Sequence, residues 1–194
     1  MPCIGLPADE MPGANNGREG ESAVPLADAH ATFESSMTSR FLADAMLGGL
    51  VRWLRALGFD TAYDPAIHDP ELVALADAQA RMLLTRDRHL LIDLRPAQAL
   101  LITDDAPLGQ LREVITACNL ARPAELFTRC LVCNAPLRPA TASEIANLVP
   151  DGAQSLPGPV RRCSGCERVY WPGSHVRRMR QTLAKALPDW DCWD

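Results

Sequence analysis

Carboxylate side chains follow several short apolar runs of this sequence, each about as long as one β-strand. These acids are Asp44, Asp69, Glu71, Asp87, Asp104 and Asp105. Because the carboxyl ends of parallel strands meet at one edge of a sheet, acids from separate strands would gather there and repel one another unless a cation neutralised them. Oxygen ligands that leave waters in place suit Mg²⁺ or Mn²⁺. Such an ion can activate a water for attack on a phosphodiester, so a metal-dependent nuclease is one hypothesis.

The same positions also suit helix capping. An aspartate directly before a helix stabilises that helix by about 1 kcal/mol, and Asp44, Asp69 and Asp104 each precede a predicted helix. The spacing by itself therefore leaves both interpretations open.

Four cysteines form two Cys-x-x-Cys pairs with 29 residues between the pairs. They are Cys130 and Cys133, and Cys163 and Cys166. Each pair can present two thiolates to one ion, so the two pairs predict a closed, structural Zn²⁺ site. Redox activity is the alternative, but neither pair lies at a helix start after a strand, where a reactive dithiol gains its low pKa. Cys118 lies late on a predicted amphipathic helix and is expected to be buried.

Residues 155–188 carry seven basic side chains against Glu167 alone, a local charge of +6. The same segment contains Tyr170, Trp171 and His175. Basic groups with interleaved aromatic rings suit single-stranded nucleic acid, which offers phosphates and base faces. The alternatives are a solvated arginine-rich helix and aromatic rings that pack this segment onto the rest of the chain.

The elements that must position these residues alternate between strands and helices. Strands are predicted at 41–43, 61–63, 82–85 and 99–102, and helices at 47–57, 69–76 and 108–115, from the spacing of apolar residues and from turn signals. This alternation predicts an α/β domain with a mostly parallel sheet. Beyond Pro123, prolines and paired cysteines predict a small module that ends in a helix at 174–187. Arg52 and Arg55 on the first helix are expected to face solvent.

Several blocks of the sequence resemble a known family. FLADAMLGGLVRWLRALGFDT, HDPELVALA and RMLLTRDRHLL resemble the RNase domain of the Mut-seven exonuclease family, a branch of the PIN-like nucleases. CLVCNAPL and RRCSGCERVYWPGSH resemble the zinc ribbon that accompanies it. The resemblance covers about residues 39–180. It implies a PIN-like three-layer α/β/α domain at 39–122, a zinc ribbon with a basic helix at 127–187, and divalent-metal-dependent RNA cleavage.

By position, the resemblance also implies particular residues. Asp44, Asp69 and Asp87 are the implied ligands of Mg²⁺ or Mn²⁺, Glu71 is a substitute for Asp69, and Asp104 or Asp105 supplies a fourth acid. Arg86 and Arg88 flank Asp87, where they either contact a phosphate or neutralise the acids.

The remaining sequence sets the context. Residues 1–37, of net charge −5, are rich in glycine, proline and acids and are predicted to be disordered, and Met37 is a candidate start of translation. No apolar stretch approaches the roughly 20 residues that span a bilayer, so no membrane partner is expected. Without a secretory signal, and with paired cysteines that suit a metal, the predicted location is the cytoplasm.

These observations predict a ribonuclease whose zinc ribbon aids RNA binding. The alternative is a non-catalytic nucleic-acid-binding zinc-ribbon protein whose acids cap helices. A third hypothesis is a redox or protein-interaction module. The sequence does not indicate an oligomeric state.

Overall fold

A computed structural model describes residues 40–190 of the chain. The predicted disorder of residues 1–37 and the candidate start at Met37 lie outside the described residues. Seven strands are present in the described part: β1 (Arg40–Ala43), β2 (Asp60–Tyr63), β3 (Met82–Thr85), β4 (Ala99–Leu101), β5 (Leu137–Pro139), β6 (Arg161–Cys163) and β7 (Val169–Tyr170). Its α-helices are α1 (Gly48–Ala56), α2 (Asp69–Ala78), α3 (Arg88–Leu94), α4 (Pro107–Ala117), α5 (Ala142–Leu148), α6 (Asp151–Gln154) and α7 (Ser174–Ala186).

The first four strands form one sheet in the order β2-β1-β3-β4, and every neighbouring pair is parallel. The mostly parallel sheet predicted from the sequence is therefore confirmed. Since all four strands run the same way, their carboxyl ends lie at one edge, which we call the acid edge.

Alternate residues of β1 and β3 face opposite sides of this sheet. Phe41 and Leu84 belong to a core cluster that contains residues of α1 and α4. Leu42 and Leu83 instead contact residues of α2 and Leu90 of α3. Two separate cores on the two faces of one sheet make three layers, which confirms the predicted α/β/α fold.

The end of α1 explains how the chain turns into β2. The N–H of Gly58 donates to the carbonyl of Arg55 and the N–H of Phe59 to that of Leu54, at 3.0 and 2.9 Å. Gly58 has φ +90°, a conformation that glycine adopts without steric cost, and a side chain there would collide with Thr128. The helix predicted at 47–57 thus ends directly before Gly58.

The ribbon is an antiparallel sheet of order β5-β6-β7, with α5 and α6 inserted between β5 and β6. Thr141 and Glu144 form a reciprocal capping box that fixes the start of α5. The sequence analysis predicted a module here but neither these strands nor these helices.

Helix α7 follows the ribbon but packs against the α1–α4 face of the first sheet. Its residues Met179, Leu183 and Ala186 are buried in the same core cluster as Leu50 and Leu111. In sequence, the ribbon thus lies between two parts of the chain that share one core. The predicted domain boundaries stay predictions. In the described residues, no helix has the length and apolar character needed to cross a membrane.

Candidate functional site

Asp44 and Asp87 lie at the acid edge, where they follow the neighbouring strands β1 and β3 in sequence. The hydroxyl of Thr85, the last residue of β3, joins them. It donates to Asp44 Oδ2 at 2.8 Å and accepts from the N–H of Asp87 at 3.0 Å. Asp44 is only 8% exposed and Thr85 is fully buried. Two acids that are 43 positions apart in the sequence are therefore held at one point of the sheet edge.

The aspartate whose side chain caps a helix is Asp87, and not Asp44, Asp69 or Asp104. Asp44 makes no side-chain cap hydrogen bond, and the caps of α2 and α4 are His68 and Ala106. Asp87 instead caps α3, where its Oδ1 accepts from the N–H groups of His89 and Leu90 at 2.7 and 3.3 Å. The capping alternative therefore does not hold for the side chains of Asp44, Asp69 and Asp104, and the aspartate that does cap a helix precedes α3, a helix that the sequence analysis did not predict.

Asp69 and Glu71 lie in the first turn of α2, which follows β2, and both side chains are exposed. An acid in the first turn is stabilised by the positive end of the helix dipole. Helix α2 packs against β1 and β3, and no described hydrogen bond or ion pair joins either carboxylate to Asp44 or Asp87.

Asp104 and Asp105, the acids that follow β4 in sequence, have different partners. Asp105 is exposed and pairs with Arg86, so this arginine neutralises an acid, one of its two predicted roles. Asp104 Oδ1 accepts from the N–H of Ala106 at 2.8 Å, and its carboxylate lies so close to Gly109 that a side chain there would collide with it.

Glu113 of α4 is a further acid at this edge that the sequence analysis missed. Its carboxylate accepts from the hydroxyl and N–H of Thr103 and from the N–H of Asp104. Burial alone would raise its pKa, but these hydrogen bonds and the charge of Arg86 place the pKa of Glu113 below its ordinary value. No spacing rule connects Glu113 to β4, because the contact depends on how α4 packs.

No three of the described acids at the acid edge bring their carboxylate oxygens within 4.8 Å of one another. Among residues 40–190, only the four paired cysteines bring three or more possible metal ligands within 4.8 Å of one another. The described residues therefore form a closed four-ligand group at the cysteines and not at the acid edge.

The four paired cysteines do form a closed cluster. Cys130 Sγ lies 3.5 Å from Cys166 Sγ, and Cys133 Sγ lies 3.3 Å from Cys163 Sγ. These separations are far longer than the roughly 2.05 Å of a disulfide. They approach the about 3.8 Å expected between two thiolates on a tetrahedral zinc with Zn–S bonds near 2.3 Å. The donor set fits a structural Zn²⁺.

The electrostatics of the cluster also favour a cation. Burial alone would raise the pKa of Cys130, but hydrogen bonds from the Cys133 N–H and the Tyr170 hydroxyl bring it to about 6. Burial and the neighbouring thiols raise the pKa of Cys133 to about 12. One thiolate therefore forms readily, whereas ionising Cys133 and Cys166, whose pKa values are raised, is favoured by a positive ion at the centre.

The Mut7-C RNAse domain family model matches residues 39–183, which include the acid edge and all four paired cysteines. The chain belongs to this family. The resemblance stated from the sequence blocks is confirmed, and the family indicates a nuclease-type function. No curated protein and no solved structure matches the chain.

In this Mut7-C domain, Arg55 joins the sheet to the turn at residues 130–134, which contains Cys130 and Cys133 and which we call the first knuckle. The prediction that Arg55 faces solvent is wrong, because only 4% of it is exposed. Its guanidinium donates to the carbonyl of Thr61 at 2.9 Å and to those of Leu131 and Val132 at 3.2 and 2.8 Å. Burial lowers the pKa of Arg55, and the nearby Cys130 and Cys133 oppose that shift.

The knuckle also covers the open edge of β2. Asn134 Oδ1 accepts from the N–H of Thr61 at 3.1 Å, and Asn134 Nδ2 donates to Asp60 at 2.8 Å. Arg129 donates to the carbonyl of Gly58 and pairs with Asp60. Edge N–H and C=O groups that would otherwise invite another strand are thereby occupied.

The basic stretch of the Mut7-C domain is partly neutralised by acids from outside it and by Glu167 within it. Arg161 pairs with Glu125, and Arg162 pairs with Glu144 and Glu167. The side chain of Tyr170 is half-buried over the cysteine cluster, where its hydroxyl lies 3.0 Å from Cys130 Sγ. The stretch is therefore not a uniform positive surface, and the position of each arginine matters.

Proposed function

We propose that this chain is a divalent-metal-dependent ribonuclease, with Mg²⁺ or Mn²⁺ held at the acid edge and Zn²⁺ held by the cysteine cluster. The observation that supports it is the bridge of Thr85 between Asp44 and Asp87. A carboxylate that is nearly buried and receives a hydrogen bond from a neighbouring hydroxyl is fixed in direction, which a ligand for a hard cation requires.

Each acid has a distinct part in this proposal. Asp44 is the most buried of the proposed ligands. Asp87 uses Oδ1 for the cap of α3, which leaves Oδ2 for the cation. Asp69, with Glu71 as its substitute, is the expected third ligand from the start of α2, and Asp105, which follows β4, is a candidate fourth acid. The ion would supply an activated water and stabilise the leaving oxygen of the phosphodiester.

The substrate proposed is RNA, and single-stranded RNA in particular, with the basic ribbon region helping to hold it. RNA follows from the family, and the single strand from the basic and aromatic side chains near the ribbon. We place the activity in the cytoplasm, where thiols stay reduced and free to bind zinc.

The decisive experiment measures cleavage of a labelled single-stranded RNA by protein that retains its zinc. Cleavage should require added Mg²⁺ or Mn²⁺ and should fall at least about 100-fold in Asp44→Asn, since a lost ligand costs several kcal/mol of transition-state stabilisation. Asp93→Asn, which alters an exposed acid within α3, is the matched control and should cleave like wild type. Leaving out the divalent ion, instead of adding a chelator, keeps the zinc site intact.

The alternative function is nucleic-acid binding without catalysis, and the capping role of Asp87 favours it. It predicts that the full chain binds RNA, that Asp44→Asn behaves like wild type, and that Mg²⁺ changes nothing. That set of results would overturn the ribonuclease proposal.

A further inference from the structure

A positively charged pocket of about 470 Å³ lies where α1, the first cysteine knuckle, β7 and α7 meet. Arg52 comes from α1, Arg168 from the turn before β7, and His175 from the first turn of α7. Val132 and Tyr170 supply apolar surface between them. We call this the α1–ribbon pocket.

Its arginines face no carboxylate. No aspartate or glutamate is among the described residues that line the pocket. Glu167, the neighbour of Arg168 in sequence, pairs with Arg162 at 3.3 Å and not with Arg168. The guanidinium of Arg52 contacts His175 Nε2 and approaches Met179 Sδ at 4.0 Å, which holds it at the pocket. Two guanidinium groups without a carboxylate partner can attract an anion.

The chemistry of the pocket suits a phosphodiester. Guanidinium groups bind phosphate oxygens with paired hydrogen bonds. Val132 is 53% exposed, and with the half-buried ring of Tyr170 it offers a surface for a base or ribose beside the phosphate. A single strand can turn its bases toward such a surface, whereas a duplex keeps them stacked inside.

The pocket also lies close to the acid edge along α1. Asp44 precedes the 3₁₀ turn that leads into α1, and Arg52 is the fifth residue of α1, about 6 Å of helix rise from its start. One short strand of RNA can therefore reach from the pocket to the acids.

We propose that the α1–ribbon pocket binds a backbone phosphate of single-stranded RNA through Arg52 and Arg168 and so presents the strand to the acid edge. This inference rests on the proposed function for its choice of substrate. Because the pocket needs the folded knuckle on one side and α1 on the other, it also assigns the zinc ribbon a part in substrate binding.

The test measures binding of a labelled 12-nucleotide single-stranded RNA to the full zinc-loaded chain, with Asp44→Asn as the background so that the RNA stays intact. Arg52→Gln and Arg168→Gln should each weaken binding about five-fold near 0.1 M salt and lower the salt slope by about 0.7, the value for one lost phosphate contact to a single strand. The double substitution should lower the slope by about 1.4. Arg112→Gln, at an exposed arginine of α4 outside the pocket, is the matched control and should change neither quantity.

Two results would overturn the inference. One is an unchanged affinity and salt slope in the double variant with normal zinc content. The other is a blunt RNA duplex that binds as tightly and depends on the same arginines, since that would exclude a single strand as the occupant. Cleavage of a small phosphodiester such as bis(p-nitrophenyl) phosphate by otherwise wild-type protein separates the two proposals. If the double Arg variant cleaves it normally but binds RNA like wild type, only the pocket proposal fails. If wild-type protein cleaves neither substrate but binds RNA through the two arginines, only the ribonuclease proposal fails.

Discussion

At the residue scale, Asp87 serves the fold and is also a proposed metal ligand. Its Oδ1 satisfies two N–H groups at the start of α3, which a helix otherwise leaves unpaired. Its own N–H is satisfied by Thr85, whose hydroxyl also orients Asp44. A substitution at position 87 therefore changes stability and catalysis together unless the replacement retains the cap.

Two substitutions separate these roles. Asn caps a helix about as well as Asp, whereas Ala costs roughly 1 kcal/mol. We expect Asp87→Asn to unfold in urea within about 0.5 kcal/mol of wild type and Asp87→Ala to lose about 1 kcal/mol. Because neither retains the carboxylate, both should lose RNA cleavage. Normal cleavage by Asp87→Asn would show that Asp87 acts only as a cap.

At the scale of elements, the contact between α1, β2 and the first knuckle depends on one buried cation. Arg55 reaches carbonyls on both sides of this contact, and Asn134 and Arg129 add hydrogen bonds around it. The knuckle thereby covers the edge strand of the sheet, and its own backbone is fixed beside the cysteines. Such outer hydrogen bonds hold metal ligands in position.

Replacing Arg55 should consequently weaken both the fold and the zinc site. Arg55→Met leaves buried carbonyls without a donor, so we expect a loss of about 2–4 kcal/mol in the free energy of unfolding. The Arg55→Met protein should also release its zinc to a chromogenic chelator faster than the wild-type protein does. Arg55→Lys restores the charge but not the planar fork and should recover only part of the loss. An Arg55→Met protein that releases zinc at the wild-type rate would contradict this coupling.

For the whole molecule, the ribbon and the first sheet are joined through α7 as well as through the knuckle. Residues of α7 complete the core of the α1–α4 face, and the chain reaches α7 only by way of β6 and β7. Loss of the ribbon's structure should therefore spread to the sheet.

Zinc removal tests this joint stability. Cys163→Ser should hold clearly less than one zinc per chain and should melt in a single transition about 10 °C below wild type, since bound zinc contributes several kcal/mol to folding. Cys118→Ser is the control, because Cys118 lies on no knuckle and its pKa is raised by burial, as expected for an inert thiol. Two separate melting transitions would show instead that ribbon and sheet unfold independently.

The sequence by itself determined what depends on nearby residues. The four parallel strands, the helices α1, α2, α4 and α7, and the pairing of the cysteines follow from apolar periodicity and short spacings. Asp44 and Asp87 were found because they directly follow strands. Helix α3 was missed, since its short run His89-Leu90-Leu91-Ile92 lacks a clear period and its cap had been interpreted only as a metal ligand.

The tertiary structure alone decided which distant side chains meet. The Thr85 bridge between two acids, the burial of Arg55, the position of Glu113 and the packing of α7 all join residues whose contact no local pattern encodes. Periodicity tells which face of an element is buried, but the partner of a polar group depends on how whole elements pack and on which donors and acceptors that packing leaves to be satisfied.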